Sequence, residues 1–435
     1  MLDELRQAAA RQRANHLLRS LVFGCKRLLS ERGATNSMAI ARQLVERIDA
    51  LPDEQMDAFF DYLNLQLSPD PQQVLRAAQA YADAPGASTL IALTQLAEPP
   101  RQELFRRLNR TPGGTATLVH LRRTLLKRLP KRPELMAVEA DMLHLLSSWF
   151  NPGFLQMRRV DWNSPAHLLE KIIHHEAVHA IDGWDDLRRR LQPDRRCFAF
   201  FHPQLPDEPL IFVEVALLPE MPAAIAPLLD KASAPQTHER LRVAAFYGIS
   251  NCEPGLRNVS LGNFLIKSVA EQLQRELPRI RTFCTLSPVP GLAEWLLGEP
   301  DFSTLPRLRR NTAADFEDAR AHLKALCGGD LATLQRAGTH DKIDNEGQAA
   351  LLTLCSAYLL HLSPTPAGDP VARFHLDNGA RLERLNARAN LSPLGLKQSF
   401  GVMVNYLYDL DKIEASHEKF IQGEVARSRA VHTVM

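Results

Sequence analysis

The chain has 435 residues, 45% of them hydrophobic and 23% charged, with a formal net charge of +2. That is the composition of a globular protein too long for one ordinary core, so two domains are expected. The near-balanced charge excludes a nucleic-acid binder working by bulk electrostatics, no apolar run approaches the roughly 20 residues needed to cross a bilayer, and six cysteines without a CxxC pair fit neither a disulfide scaffold nor a cysteine zinc site.

The first twenty residues are rich in arginine and alanine but carry Asp3 and Glu4 and have no apolar signal core, so they are expected to form the first helix of the mature protein. Residues 1–150 predict helix after helix: Met38 to Leu51 and Glu54 to Leu67 space apolar residues three and four apart. Gly33, the Ser68-Pro69-Asp70-Pro71 turn, Pro99-Pro100 and Thr111-Pro112-Gly113-Gly114 supply the breaks. The stretch His120 to Arg132 predicts an amphipathic helix with a solvated basic face, or alternatively a face that meets an anionic ligand.

Near Asn151-Pro152-Gly153 the pattern changes. Cys197 to Phe201, Leu210 to Leu218, Arg242 to Ser250 and Arg281 to Leu286 predict strands, and Asn263 to Leu277 an amphipathic helix. The succession strand, loop, helix, strand from Arg242 onward predicts one βαβ unit. Beyond Pro300 the chain is expected to be helical again, with a Pro/Gly-rich loop at Ser363 to Pro370.

Four segments carry side chains suited to chemistry. His175-Glu176-Ala177-Val178-His179 has the spacing of a helical zinc site with a glutamate base. The residues after it offer no third ligand, and Asp182-Gly183 is expected to stop the helix within a turn of His179, so no metal is expected there. Arg257-Asn258-Val259-Ser260-Leu261-Gly262-Asn263 joins a strand to a helix N-terminus, where small residues and a partial positive charge make a pyrophosphate cradle. Its spacing is similar to the coenzyme A loop of the Gcn5-related acetyltransferase superfamily, with Ser260 where a glycine is usual; an ordinary βα turn is the plainer reading. Ser287, in Leu286-Ser287-Pro288-Val289-Pro290-Gly291, stands at a strand end, where α/β folds place ligands, or simply where a strand terminates. His375 precedes an Asn378-Gly379 turn and either fills a core position or moves a proton.

Taken together, Ala177-Val178-His179, Arg195-Arg196-Cys197, Phe246 to Ser250, Leu256 to Lys267, Leu286 to Gly291, Phe374-His375-Leu376 with Asn378-Gly379-Ala380, and Asn405-Tyr406-Leu407-Tyr408 resemble the malonyl-CoA decarboxylase family. The resemblance implies a helical oligomerisation domain over 1–150 and an α/β catalytic domain of acetyltransferase-like fold over 151–435. It implies a homotetramer built as a dimer of dimers, and a reaction from malonyl-CoA to acetyl-CoA with no cofactor besides the coenzyme A of the substrate. Carried over residue by residue, it makes Ser287, His375 and Tyr408 catalytic, with Tyr406 a close competitor of Tyr408, and makes Arg257, Asn258, Val259, Ser260, Leu261, Gly262 and Asn263 the coenzyme A loop. The terminal His432-Thr433-Val434-Met435 is not a peroxisomal address, so a cytoplasmic enzyme is expected, with no membrane or nucleic-acid partner. The alternative is an acyl-CoA transferase or coenzyme A-binding protein of the same fold.

Overall fold

The computed structural model describes residues 2–31, 34–259, 261, 265–308 and 312–432. The chain forms two compact units: Met1–Gln156 with Phe201–Glu208 and Glu253–Ser260, and Met157–Phe200 with Pro209–Cys252 and Leu261–Met435.

Among the described residues, the first unit is built on eight helices: α1 (Leu2–Ser30), α2 (Ala34–Asp49), α3 (Asp53–Asp61), α4 (Pro71–Asp83), α5 (Ala87–Ala97), α6 (Pro100–Asn109), α7 (Gly114–Arg128) and α8 (Met136–Trp149). The breaks read in the sequence are the breaks in space. The Asp70 side chain accepts the N–H groups of Gln72 and Gln73, with Pro71 in the first helical position. Gly113 turns into α7 with φ at +80°, a conformation that side chains resist. Leu44, Phe59, Phe60, Phe105, Leu118 and Leu125 belong to the shared core. The helix pair α4 and α5 buries no residue and leaves Leu75, Leu90, Ile91 and Leu96 exposed.

The basic stretch is the amphipathic helix expected, although the helix ends at Arg128 rather than Arg132. Much of its charge is spent within the unit: Arg128 pairs with Asp53 and Asp57, Arg132 with Asp61 and Glu134, and the fully buried Arg122 with Glu139.

Among the described residues, an eight-stranded mixed sheet, most of it in the second unit, is formed by β1 (Gln156–Val160), β2 (Arg195–His202), β3 (Leu205–Leu218), β4 (Val243–Asn251), β5 (Thr282–Thr285), β6 (Ser287–Pro288), β7 (Arg381–Asn386) and β8 (Met403–Leu407). The order is β1-β2-β3-β4-β5-β8-β6, with β7 also on β8. Strands β4 and β5 are parallel and are joined through the helix Leu265–Glu276, whose Leu265, Ile266, Val269, Ala270 and Leu273 are buried. This is the expected βαβ unit, and a helical N-terminal region followed by an α/β region is the order expected. The β4–β5 ladder ends at Phe246 opposite Thr285, while β4 runs on to Asn251 against β3. The two strands part there.

One expectation fails after Pro300. Helices do occupy Thr312–Leu326, Asn345–Ala357 and Pro370–Asp377, but β7 and β8 return to the sheet as an antiparallel pair. Arg-Leu-Glu-Arg-Leu-Asn carries its leucines three apart, a helical spacing, and the five residues of β8 are too few to show a period of two.

The packing gives a direct test. A methyl group at Gly114 would lie 1.9 Å from the Leu108 carbonyl oxygen, whereas one at Gly338 meets nothing within 4 Å. Gly114→Ala should therefore destabilise the protein by about 1–3 kcal/mol, and Gly338→Ala should stay within about 0.5 kcal/mol, measured by chemical denaturation followed by circular dichroism.

Candidate active site

Ser287 is set by the sheet. Its strand neighbour Thr285 ends β5, the Leu286 N–H donates to the Phe246 carbonyl at 2.9 Å, and Ser287 and Pro288 then pair with Val404 and Met403 of β8. His375 comes from the last turn of the helix Pro370–Asp377, which Asp369 caps. That helix stops at Gly379, φ +76°, where a Cβ would collide with the Ile413 carbonyl oxygen at 2.2 Å. The Asn-Gly pair thus ends the helix one turn after His375. Tyr408 follows β8, its N–H donating to the Phe283 carbonyl at 2.8 Å.

These three side chains meet, although Ser287 and His375 are 88 positions apart. Ser287 Oγ lies 2.9 Å from His375 Nε2, and His375 Nδ1 lies 2.8 Å from the Tyr408 hydroxyl. Ser287 Oγ donates to Thr285 Oγ1 at 2.9 Å. With that direction, a neutral imidazole accepts from Tyr408 O–H at Nδ1 and donates from Nε2–H to Ser287. Thr285 Oγ1 also accepts the Tyr406 N–H at 3.2 Å, and the Asn405 amide donates to the Thr285 carbonyl at 2.8 Å. The Tyr406 ring stacks on His375, centroids 4.6 Å apart, with its hydroxyl buried and, among the described residues, unpartnered.

Burial sets the charges. It pushes His375 down to about 3, so the ring is neutral near pH 7. It also holds the Tyr406 and Tyr408 phenols well above their usual range. Both ring nitrogens are engaged by hydroxyls, so no carboxylate supports an imidazolium, as the serine-hydrolase arrangement requires. The group is suited to passing or donating a proton through a neutral ring.

One partner, Thr285, is absent from the sequence reading. Thr285 stands two residues before Ser287, on the same face of an extended chain, which is the signal that could have found it. Tyr406 was held only as a competitor of Tyr408; the structure gives Tyr408 the hydrogen bond and Tyr406 the stack.

In the candidate coenzyme A loop, Ser260, Gly262 and Asn263 lie outside the described residues. Arg257 and Asn258 are exposed, Asn258 with φ at +66°, while Val259 and Leu261 are buried. The turn before the loop is held by Arg122, which donates to the carbonyls of Gly255 at 2.7 Å and Arg257 at 2.8 Å.

The HEAVH segment differs from expectation. Its helix, Ala166–His175, stops before the glutamate rather than at Asp182-Gly183, and Gly183 instead opens the helix Gly183–Arg190. The Glu176 carboxylate accepts the N–H groups of Val178 and His179, both at 2.8 Å, and this local turn replaces helical continuation. It also accepts the Ser250 hydroxyl at 2.9 Å. The two histidines therefore share no helix face, and the glutamate is spent on the scaffold. Beside it, Arg190 bridges Asp186 and the buried Glu214, whose carboxyl burial and the nearby Glu176 push up to about 8.

Comparison with known proteins decides the family. The malonyl-CoA decarboxylase C-terminal domain matches residues 153–435, and the malonyl-CoA decarboxylase N-terminal domain matches residues 67–150. The chain belongs to the malonyl-CoA decarboxylase family. Among solved structures, malonyl-CoA decarboxylase from Rhodopseudomonas palustris is 46% identical, covering 96% of this chain and 99% of its own, with a TM-score of 0.82. The Agrobacterium vitis malonyl-CoA decarboxylase is 44% identical, covering 95% and 99%, with a TM-score of 0.80. A mitochondrial malonyl-CoA decarboxylase of Anser anser anser is 36% identical over 336 residues, 74% of this chain and 66% of the relative. The match thus spans just under two thirds of that vertebrate relative's length.

For this family member, the buried neutral histidine has a measurable consequence. The unfolded ring, near 6.5, takes up a proton as pH falls, while the folded ring at about 3 does not. Stability is therefore lost as pH drops below about 6.5, by about 2 kcal/mol from this group at pH 5. Chemical denaturation at pH 7 and pH 5 should show His375→Asn losing less stability on acidification than the parent protein; equal losses would contradict a buried neutral ring.

Proposed function

We propose that this chain decarboxylates malonyl-CoA to acetyl-CoA and carbon dioxide. The observation that carries the reading is the buried hydrogen-bonded chain Ser287–His375–Tyr408 beside the point where β4 and β5 part. Cleaving the carboxylate's C–C bond sends its electron pair toward the thioester oxygen, and the enolate then takes one proton at the α-carbon. The thioester is the electron sink, so the chemistry calls for neither a metal nor a redox cofactor.

Ser287 orients the substrate carboxylate through its hydroxyl. The proton on His375 Nε2 goes to the α-carbon while Nδ1 takes the Tyr408 proton, so the ring stays neutral; solvent then reprotonates Nε2 as Nδ1 returns its proton to Tyr408, which restores the starting tautomer. A neutral ring with a hydroxyl on each nitrogen supports this relay better than an imidazolium acid. The unpartnered Tyr406 hydroxyl is a donor free to meet the enolate oxygen. Arg257 to Asn263 takes the coenzyme A pyrophosphate; the exposed Arg257 and the exposed, left-handed Asn258 support that role. Anchoring the tail fixes the reacting end.

The finer reading is a homotetramer, for which the exposed apolar residues of α4 and α5 offer a surface. Six buried cysteines, in no disulfide among the described residues, suit the cytoplasm, a reducing compartment.

The test is carbon dioxide release from malonyl-CoA. Ser287→Ala and His375→Asn should each lower kcat by roughly 10²–10⁴-fold with KM changed far less, and the double variant should lose much less than the product of the two. A chelator should leave the parent rate unchanged. Acyl transfer to an amine without carbon dioxide release would overturn the reading.

A further inference from the structure

Asp369 is fully buried, and among the described residues no cation pairs with it. Among the described residues, its carboxylate accepts three hydrogen bonds, all from backbone. Oδ1 accepts the N–H groups of Val371 at 2.9 Å and Ala372 at 3.0 Å, capping the helix that carries His375. Oδ2 accepts the Gly291 N–H at 3.0 Å, in the loop that carries Ser287. A buried carboxylate without a cation is costly, and serine or asparagine caps a helix about as well. What the carboxylate adds is the second oxygen.

That oxygen joins the two arms of the site. From Asp369 to His375 the chain is one helix, about 9 Å along its axis at 1.5 Å per residue. From Gly291 back to Ser287 it passes Pro290 and Pro288, whose rings fix φ. Both arms are stiff, and their far ends are His375 Nε2 and Ser287 Oγ, 2.9 Å apart. The near end is equally constrained: a Cβ at Gly291 would lie 2.2 Å from the Tyr358 hydroxyl and 3.6 Å from Asp369 Oδ2, so only glycine presents its N–H there.

We infer that Asp369 is the positioning residue that sets the Ser287–His375 distance for decarboxylation, by clamping the serine loop to the N-terminus of the histidine helix. The inference rests on the function proposed above. It makes Asp369 matter to turnover without touching the substrate.

Asp369→Asn and Asp369→Ser both keep an oxygen for the cap and weaken or remove the bond to Gly291. Each should lower kcat for malonyl-CoA by roughly 10–100-fold, the cost of a displacement of about 1 Å in a reacting pair. KM should stay within about threefold and the near-UV circular dichroism should be unchanged, because the acyl-CoA contacts and the fold remain. The deciding measurement adds Asp369→Asn to Ser287→Ala in single-turnover assays. With the serine gone there is no pair left to position, so the further loss should be under about twofold. Full kcat in both single variants would overturn the inference, as would an equal penalty with and without Ser287, which marks a purely structural residue. If Ser287→Ala alone has full activity, the proposed site fails instead, and the two failures are distinguished. Should Asp369→Ser not fold, the closer isostere Asp369→Asn decides.

Discussion

The site depends on keeping one imidazole neutral and held at both nitrogens. Burial alone drives His375 to about 3, and the hydroxyls of Ser287 and Tyr408 satisfy its two nitrogens without adding a charge. A carboxylate at either position would favour the imidazolium and convert a proton relay into a general base for a serine nucleophile. Much of the surrounding structure serves this arrangement. The sheet delivers Ser287 and Tyr408, a helix capped at one end and stopped by Gly379 at the other delivers His375, and the Tyr406 ring closes over the imidazole. Each of these polar groups would be costly to bury alone, and each is made tolerable by the next in the chain.

A second cluster of buried charges lies in the same unit. Glu176, Arg190, Asp186 and Glu214 form a network around the ends of two short helices. Gly248 lets it approach the sheet: a Cβ there would meet the Glu214 carboxylate at 2.6 Å. The loudest motif in the sequence therefore serves the scaffold, while the proposed chemistry rests on residues that look ordinary one at a time.

Where local rules act, the sequence announced the structure. Proline, glycine and aspartate breaks marked the helices of the first unit, and β-branched runs marked β3, β4 and β5. Ser287, His375 and Tyr408 were reached through family resemblance, because no local pattern says that a strand end, a helix end and a residue beyond β8 will converge. The HEAVH segment misled because spacing alone cannot foresee that Glu176 will bond its own backbone and end the helix. Strands β7 and β8 were missed because leucines three apart in a charged stretch resemble a helix, and their pairing is a tertiary matter. Asp369 acts through a carboxylate bond to the distant Gly291, a role that its immediate neighbours do not disclose.

The central claim is that Ser287 and His375 address the malonyl group itself. The most direct test is a crystal structure with a malonyl thioester analogue that cannot lose carbon dioxide. The account predicts that Ser287 Oγ lies within hydrogen-bond reach of the analogue's carboxylate, about 3 Å, with His375 Nε2 facing the α-carbon. An analogue bound with its malonyl group more than about 8 Å from both side chains, beyond the reach of one bridging water, would contradict it.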